Sequence, residues 1–237
     1  MTKTALPASG PHGPYVVAQL GQSLDGRIAT VSGESRYING AYALDHLHAL
    51  RAQVDAVIVG VSTVIADDPL LTVRRTSGVN PARVVLDPHG RIAADAKCLR
   101  QDGTRVCVVT TPKSGRSAQG WVDFIELPGD AGVIAPADIL PALHARGFKR
   151  ILVEGGAATV SRFIDADGAD RLHVLVSPLI IGAGKSGLSL SPVAELARAR
   201  RPSVSVSLFP DGDVLFDCDL RNVIRSAQTH AKQSAVL

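Results

Sequence analysis

The chain has 237 residues, of which 46% are hydrophobic and 4% aromatic, and its formal net charge is +3. This length fits one large α/β domain with an aliphatic core, and so small a charge argues against a nucleic-acid partner. No apolar run reaches the roughly 18 residues of a membrane span. The cysteines, Cys98, Cys107 and Cys218, are odd in number and far apart, which argues against disulfides and a cysteine-based zinc site. We therefore expect a cytoplasmic protein, no membrane contact and no metal.

The order of apolar and polar segments predicts an α/β fold. Residues 1–13 lack an apolar signal core and are predicted to be a disordered arm, 14–222 to form one domain, and 223–237 to be a flexible tail. Buried strands are expected at Tyr15–Leu20, Val54–Gly60, Ala82–Leu86, Arg105–Thr110, Val122–Leu127, Arg150–Val153 and Leu172–Ser177. Helices are expected at Ala41–Ala52, Val61–Ala66 and Ile134–Arg146, and from Ala157 to about Asp165.

Alternation of strands and helices predicts a mostly parallel central sheet with helices on both faces. Val204–Phe209 and Val214–Leu220 are separated by a turn and are predicted to add an antiparallel hairpin at the C-terminal end.

The first predicted helix carries several specific expectations. Asn39 precedes it and can cap its free N–H groups. Its apolar face is expected to comprise Ala41, Leu44, Leu47 and Leu50. His46 and His48 are two residues apart, so they point to different faces and cannot chelate one metal. We therefore expect both histidines at the surface.

The segment Leu47–Arg75 gathers charged residues around a buried strand. Arg51 ends the preceding helix, whereas Asp67, Asp68 and Arg74 follow the strand. Ligands of open α/β sheets bind beyond the carboxyl ends of strands, and guanidinium groups suit phosphate. The pattern indicates a site for a small anion, although each charge alone could be a surface ion pair or a helix stop.

A second candidate site follows the strand that ends at Val153. Glu154 is succeeded by Gly155-Gly156, whose backbone can approach a ligand closely, and the next helix begins there with free N–H groups that favour an anion. The alternative is a tight turn that needs glycine only for its backbone angles. A further glycine loop, Gly182–Gly184, follows another strand, and two such loops after neighbouring strands would favour a dinucleotide.

Several stretches resemble one known family. They are SLDGRIA (Ser23–Ala29), GESRYI (Gly33–Ile38), LRAQVDAVIVGVSTVIADDPLLTVR (Leu50–Arg74), RVVLD (Arg83–Asp87), LVEGGA (Leu152–Ala157) and SPLIIGAG (Ser177–Gly184). In this order they resemble the reductase domain of bifunctional riboflavin-biosynthesis proteins, which has the dihydrofolate reductase fold. The resemblance implies NADPH-dependent reduction of a phosphoribosylamino-pyrimidine, whose ribose becomes ribityl, and it implies a homodimer.

The resemblance also assigns roles to individual residues. It implies cofactor contacts at Gly21, Tyr37, Thr63, Asp67, Gly155, Gly156, Ala157, Ala158, Thr159, Val160 and Ser161. It implies substrate contacts at Ser35, Arg51, Leu71, Arg74 and Glu154. The substrate phosphate would lie against Arg51 and Arg74, so Arg51→Ala is expected to raise KM with little loss of fold. Asp67 and Glu154 are the catalytic candidates, because a carboxylate stabilises a cationic carbon that accepts hydride.

Selection of NADPH over NADH requires a group for the 2′-phosphate. The strand that ends at Thr110 is followed by hydroxyls and cations, and the candidates are Thr110, Thr111, Lys113 and Arg116.

The chain departs from the family's usual pattern at two positions. Gln19 stands where a lysine is frequent, and Tyr37 where a tryptophan is common. These departures keep open a reductase of another heterocycle, such as a dihydropterin. A nucleotide-binding module without catalysis is a further alternative. No HxE or PCxxC zinc signature occurs, so a stand-alone reductase is expected.

Overall fold

The computed structural model describes residues 5–10, 13–115 and 120–221. Its strands are β1 Tyr15–Ser23, β2 Arg27–Thr30, β3 Ala56–Gly60, β4 Ala82–Leu86, β5 Val106–Thr110, β6 Val122–Glu126, β7 Arg150–Val153, β8 Arg171–Ser177, β9 Gly184–Ser186, β10 Ser203–Leu208 and β11 Val214–Asp219. Its α-helices are α1 Ala41–Arg51, α2 Val61–Asp67, α3 Pro136–His144 and α4 Ala157–Asp165. Apart from shifts at the ends, the predicted elements are confirmed.

Within the described ranges, nine strands form the main sheet in the order β10-β11-β8-β1-β7-β3-β4-β5-β6. Neighbouring strands from β8 to β6 run parallel. The pairs β11–β8 and β10–β11 are antiparallel, as the predicted C-terminal hairpin requires. The short strands β2 and β9 form a separate antiparallel pair.

The core has one layer on each face of the sheet. Along β3, Ile58 belongs to the layer that includes Phe163 of α4. Its neighbour Val57 faces the opposite layer, which includes Leu50 of α1 and Val64 of α2. Because successive strand residues point to opposite faces, a strand covered on both sides is apolar throughout, and this explains the near-continuous hydrophobic run.

The start of α1 differs from the prediction. The N-cap residue is Gly40 rather than Asn39, so the N-cap position provides no side-chain hydrogen bond to the helix. Asn39 instead donates from Nδ2 to the carbonyl oxygen of Leu175 in β8, at 3.3 Å. The N–H groups at the start of α1 find their acceptors in the turn between β10 and β11. Asp213 accepts from the Gly40 N–H at 2.8 Å, and Asp211 accepts from the Tyr42 N–H at 3.2 Å.

The predicted burial of α1 is also wrong in part. Of the expected apolar face only Leu50 is buried, whereas Ala41 is exposed. His48 is buried, contrary to the expected surface position. His46 is half-buried and shares a hydrogen bond of 3.0 Å with His173. The histidines are buried because they contact His173 of β8 and the backbone of Arg74, which the spacing of the helix's own residues cannot reveal.

No helix in the described part of the chain is both long and apolar enough to cross a membrane. The three cysteines are buried and free. Six of the 13 residues of the predicted N-terminal arm and the whole of the predicted tail lie outside the described residues, so the boundaries at 14 and 222 stay predictions.

Candidate active site

The candidate site lies where β7 and β3 end beside the continuing strand β1. Val153 is the last residue of β7 and pairs with Ala18 of β1 and Ile58 of β3. Glu154 follows, and its N–H donates to the Ile58 carbonyl oxygen at 3.0 Å. β1 extends beyond this point and pairs with β8. Glu154 is thereby fixed at an edge where several parallel strands present their carboxyl ends, the usual ligand position in such sheets.

Glu154 forms a two-bond ion pair with Arg51 from the last turn of α1. The Nη2–Oε1 distance is 2.5 Å and the Nε–Oε2 distance is 3.2 Å. Arg51 is 6% and Glu154 3% exposed, so water competes little with the pair. Nη1 of Arg51 also donates to the Thr72 carbonyl oxygen at 3.1 Å. Arg51 was predicted to face a substrate phosphate, but its guanidinium is mainly committed to Glu154.

Further positive charge surrounds this ion pair. The exposed Arg74 side chain donates from Nη1 to Thr72 Oγ1 at 2.8 Å. Burial, followed by the charge of Arg51, lowers the pKa of the Arg74 guanidinium. Arg75 pairs with Asp45 at 2.5 Å. The mutual repulsion of these cations would be relieved by a bound anion.

His48 is a site residue that the sequence interpretation missed. Its Nδ1 accepts the backbone N–H of Arg74 at 3.0 Å, which ties the 72–75 segment to α1. Burial, followed by the charges of Arg51, Arg74 and Arg75, lowers the pKa of His48 to about 4. The ring is therefore neutral near pH 7, and Nδ1 is free of a proton to accept this bond. Its position three residues before Arg51 was the one signal in the sequence that could have indicated a place in the site.

The glycine turn between β7 and α4 contacts the turn between β3 and α2. The Gly156 N–H donates to Thr63 Oγ1 at 2.9 Å. A Cβ atom on Gly155, where φ is +97°, would lie 3.1 Å from the Thr63 side chain, and one on Gly60 would lie 2.6 Å from Thr159 Oγ1. Glycine is thus required for this close approach. The Ala157 and Ala158 N–H groups lie in the first turn of α4 and have no helical acceptor.

A cavity of about 320 Å³ opens beside the glycine turn. Its walls come from the end of β3 with the start of α2, the loop after β4, the 132–134 segment and α4. They comprise Gly60, Ser62, Thr63, Leu86, Pro88, His89, Arg91, Gly132, Ile134, Gly156, Ala158, Thr159 and Arg162.

A family model described as the RibD C-terminal domain matches residues 14–205. The chain belongs to this family.

Individual relatives agree with the match. The riboflavin biosynthesis protein RibD of Aquifex aeolicus (strain VF5) is 32% identical over 197 residues, covering 81% of this chain and 54% of that protein. A 2,5-diamino-6-ribosylamino-4(3H)-pyrimidinone 5′-phosphate reductase of Methanothermobacter thermautotrophicus is 33% identical over 179 residues, covering 71% and 80%. The chain thus spans about half the length of the RibD relatives.

Solved structures show the fold. A deaminase/reductase from Thermotoga maritima has a TM-score of 0.76 at 29% identity, over 88% of this chain and 57% of that one. An Enterococcus faecalis dihydrofolate reductase has a TM-score of 0.50 at 11% identity, over 86% and 96%. The predicted dihydrofolate reductase-like fold is confirmed.

Some of the residues to which the family resemblance assigns roles lie on a loop near the end of α2. Ser35 is half-buried and Tyr37 is 79% exposed. The loop that carries both is tied to the end of α2, because Arg36 donates to the Asp67 carbonyl oxygen at 2.7 Å. The Asp67 carboxylate has no cationic partner among the described residues. Asp68 instead pairs with Lys97, at 3.0 Å from Nζ.

Other residues with implied contacts are buried or lie close to protein groups. Val160 belongs to the core layer under α4, and Ser161 Oγ accepts the Ser189 N–H at 2.9 Å. Leu71 is buried with φ at +55°. A Cβ atom on Gly21 would lie 2.1 Å from Asn39 Oδ1, so its close neighbour is a protein side chain. The cofactor contacts implied for Val160 and Ser161 stay predictions, with both side chains buried.

The other predicted glycine loop is explained by protein contacts. β8 and β7 flank β1 rather than each other, so the two glycine loops do not follow neighbouring strands. The N–H groups of Ile181 and Gly182 donate to Asp25 at 3.1 and 2.6 Å. Hydrogen bonds from Ser23 and then Ile181 lower the pKa of Asp25 to about 2. A Cβ atom on Gly184 would lie 2.3 Å from the Ala29 carbonyl oxygen.

The two threonines of the predicted 2′-phosphate site are engaged with protein carbonyl groups. The hydroxyl groups of Thr110 and Thr111 donate to the carbonyl oxygens of Asp87 and Pro88, both at 2.8 Å, and both residues are buried. Arg116 lies outside the described residues. Lys113 is exposed and is not part of the cavity wall. In the described ranges, no cluster of three or more histidine, cysteine and acidic residues could hold a metal ion.

Proposed function

We propose that this protein is an NADPH-dependent reductase of a phosphoribosylamino-pyrimidine, which converts the ribose to a ribityl chain in riboflavin biosynthesis. One observation carries the proposal: a buried carboxylate, Glu154, stands between a cluster of arginines and a glycine turn that opens a helix. The arginine cluster suits a substrate phosphate, and the glycine turn suits a dinucleotide. The relatives named as reductases of this substrate class support the same function.

The arginine cluster would bind the phosphorylated end of the substrate. The Arg74 side chain is exposed, whereas Arg51 is buried and its positive charge acts on Arg74. Arg51 uses three N–H groups in the bonds described, fewer than a guanidinium carries, so it can still donate to a substrate. We therefore assign the main phosphate contact to Arg74 and a supporting contact to Arg51.

The glycine turn and the start of α4 would hold the cofactor diphosphate. The turn lacks side chains where Gly155 and Gly156 pass Thr63, and the first-turn N–H groups of Ala157 and Ala158 favour an anion. A bound reduced nicotinamide supplies the hydride for the reduction. The protein's own contribution is to position the substrate carbon and to exclude water.

The two candidate catalytic carboxylates have different surroundings. The charge of Glu154 is balanced by Arg51, whereas Asp67 has no cationic partner in the described part of the chain. An uncompensated carboxylate stabilises a cationic substrate carbon more strongly. We therefore assign charge stabilisation to Asp67, and to Glu154 the orientation of Arg51 and of the substrate.

Parallel NADPH-oxidation assays test the proposal. The substrates would be 2,5-diamino-6-ribosylamino-4(3H)-pyrimidinone 5′-phosphate, 5-amino-6-(5-phosphoribosylamino)uracil and a dihydropterin. We expect turnover of at least one pyrimidine and none of the pterin. Turnover of the pterin alone would overturn the substrate assignment, and cofactor binding without turnover would favour a binding module.

We also propose that the protein is a homodimer assembled through the β10–β11 hairpin. Val204, Val206 and Leu208 lie on one face of β10 and are 48%, 59% and 72% exposed. Phe216 of β11 pairs with Val206 and is 37% exposed. Such a continuous apolar stripe is typical of an interface, and a second copy would bury it by isologous pairing.

A further inference from the structure

The cavity beside the glycine turn contains two arginines that the diphosphate site does not use. Arg91 lies on the loop after β4, and Arg162 lies on α4. We propose that Arg91 and Arg162 bind the 2′-phosphate of NADPH and thereby select it over NADH. This inference rests on the proposed function and adds the determinant of cofactor choice.

The charge balance of the cavity favours an anion. Neither Arg91 nor Arg162 forms an ion pair with a carboxylate of the described residues. Among the described residues, the Arg91 side chain makes one weak hydrogen bond, from Nη2 to Ser62 Oγ at 3.3 Å. By comparison, Arg51 and Arg75 near the substrate side are both paired with carboxylates. Two guanidinium groups that line one cavity without a carboxylate partner among the described residues pair favourably with a phosphate dianion, because guanidinium groups bind phosphate oxygens through charge-assisted hydrogen bonds.

The position of the cavity suits the adenosine end of a dinucleotide. Gly156 and Ala158 line the cavity and also belong to the turn and helix start assigned to the diphosphate. A nucleotide anchored there would place its adenosine ribose beside the anchor, within reach of the cavity. The volume of about 320 Å³ reaches the lower limit of ligand pockets, about 300 Å³. A bound nucleotide would therefore be only partly enclosed.

The exposed His89 ring lines the same cavity. A Cβ atom on Gly132, where φ is +77°, would lie 2.2 Å from His89 Nε2. The imidazole thus packs directly against the Gly132 backbone, whose positive φ favours glycine at this position. The ring and Ser62 Oγ can add hydrogen bonds to the phosphate that the guanidinium groups attract.

Direct binding measurements on variants test this inference without relying on turnover. Arg91→Gln and Arg162→Gln would be compared with Lys113→Gln, an exposed cation outside the cavity. Calorimetric titrations with NADP⁺, NAD⁺, adenosine 2′-monophosphate and adenosine 5′-monophosphate would follow, after a thermal melt has verified folding. We expect each cavity variant to bind NADP⁺ at least about tenfold more weakly than the wild-type protein does, because a charged hydrogen bond is lost. NAD⁺ affinity should change less than about twofold, and Lys113→Gln should resemble the wild-type protein.

The outcomes distinguish this inference from the proposed reaction. A wild-type protein that prefers NADP⁺ and keeps that preference in both cavity variants would overturn the 2′-phosphate site and leave the reductase function standing. Equal losses of NADP⁺ and NAD⁺ would also overturn it, because they indicate a contact common to both nucleotides. A protein that binds neither nucleotide would overturn both proposals. If Arg162→Gln fails to fold, the exposed Arg91 decides the outcome alone.

Discussion

At the scale of single residues, the site depends on how Glu154 and Arg51 are combined. Both were singled out in the sequence, one as a strand-end carboxylate and the other as a phosphate contact. Their pairing was not predictable, because 103 positions separate them and no local pattern sets that distance. Their burial changes the expected effect of mutation.

Arg51→Ala is expected to destabilise the fold, in contrast to the expectation from sequence. The substitution leaves the Glu154 carboxylate buried without its partner, which costs about 3 kcal/mol. Urea unfolding would measure the loss. Arg74→Ala is the matched control, since that side chain is exposed and its removal should leave stability unchanged. Equal stability of the two variants would contradict a structural role for the ion pair.

Arg74→Ala is expected instead to impair substrate binding. Loss of a charged hydrogen bond to phosphate should raise KM about tenfold with little change in kcat, because the phosphate is remote from the reacting carbon. Steady-state kinetics would test this with the phosphorylated substrate and its dephosphorylated form. An Arg74 effect of equal size on both forms would rule out a phosphate contact.

At the scale of elements, helix α1 depends on groups from distant strands. Its ends were predicted well, because they depend on local sequence, but only Leu50 of its predicted apolar face is buried. The N-terminal cap and the burial of His46 and His48 were predicted wrongly, because they depend on the β10–β11 turn and on β8. Local sequence therefore defined the helix but not its environment.

Removal of the distant cap is expected to weaken the fold. Asp213 is buried and accepts the Gly40 N–H, so Asp213→Ala should lower the free energy of unfolding by about 1 kcal/mol, as for other N-terminal caps. Asp95→Ala, at an exposed loop position, is the control. Chemical denaturation would compare them, and equal midpoints would show that the cap contributes nothing.

The neutral His48 predicts a pH dependence of stability. Its folded pKa of about 4 lies below the unfolded value of about 6.5, so the unfolded chain binds the proton first. The His48 contribution is therefore complete above about pH 6.5 and is lost as the pH falls towards about 4, by about 1–2 kcal/mol.

Denaturation series at pH 7 and pH 5 would measure this effect. His48→Asn keeps an acceptor for the Arg74 N–H but cannot titrate, so its stability should fall less between the two values. The exposed His144→Gln should retain the wild-type dependence. The prediction fails if His48→Asn and the wild-type protein lose equal stability.

At the scale of the whole molecule, the sheet order creates the site. The alternation of strands and helices predicted a mostly parallel sheet, and the antiparallel hairpin followed from its short turn. The order of the strands was not predicted, and it decides that Glu154 lies beside β1 and β3 while the Gly182–Gly184 loop lies elsewhere. The cavity with Arg91 and Arg162 depends on the same order, which explains why the sequence directed attention to Thr110 and Thr111 instead.

The proposed dimer is tested by a charge on the exposed stripe of β10. Val206→Glu should convert the dimer to a monomer, because a carboxylate cannot be buried against an apolar partner without large cost. Val79→Glu is the control, as Val79 is 85% exposed and lies before β4. Light scattering after gel filtration would give the masses. A monomeric wild-type protein would remove the dimer from consideration.

The hydrogen bond from the Gly156 N–H to Thr63 Oγ1 links two turns that are 93 positions apart. The proposed diphosphate position therefore forms only after β3 and β7 have paired, and no fragment that contains one turn alone can recreate it. A nucleotide bound there recognises the assembled sheet and has nothing comparable to hold in the unfolded chain. The proposed nucleotide should then stabilise the folded protein by an amount that rises with the ratio of its concentration to its Kd, so that cellular nucleotide levels help to determine how long the folded protein persists.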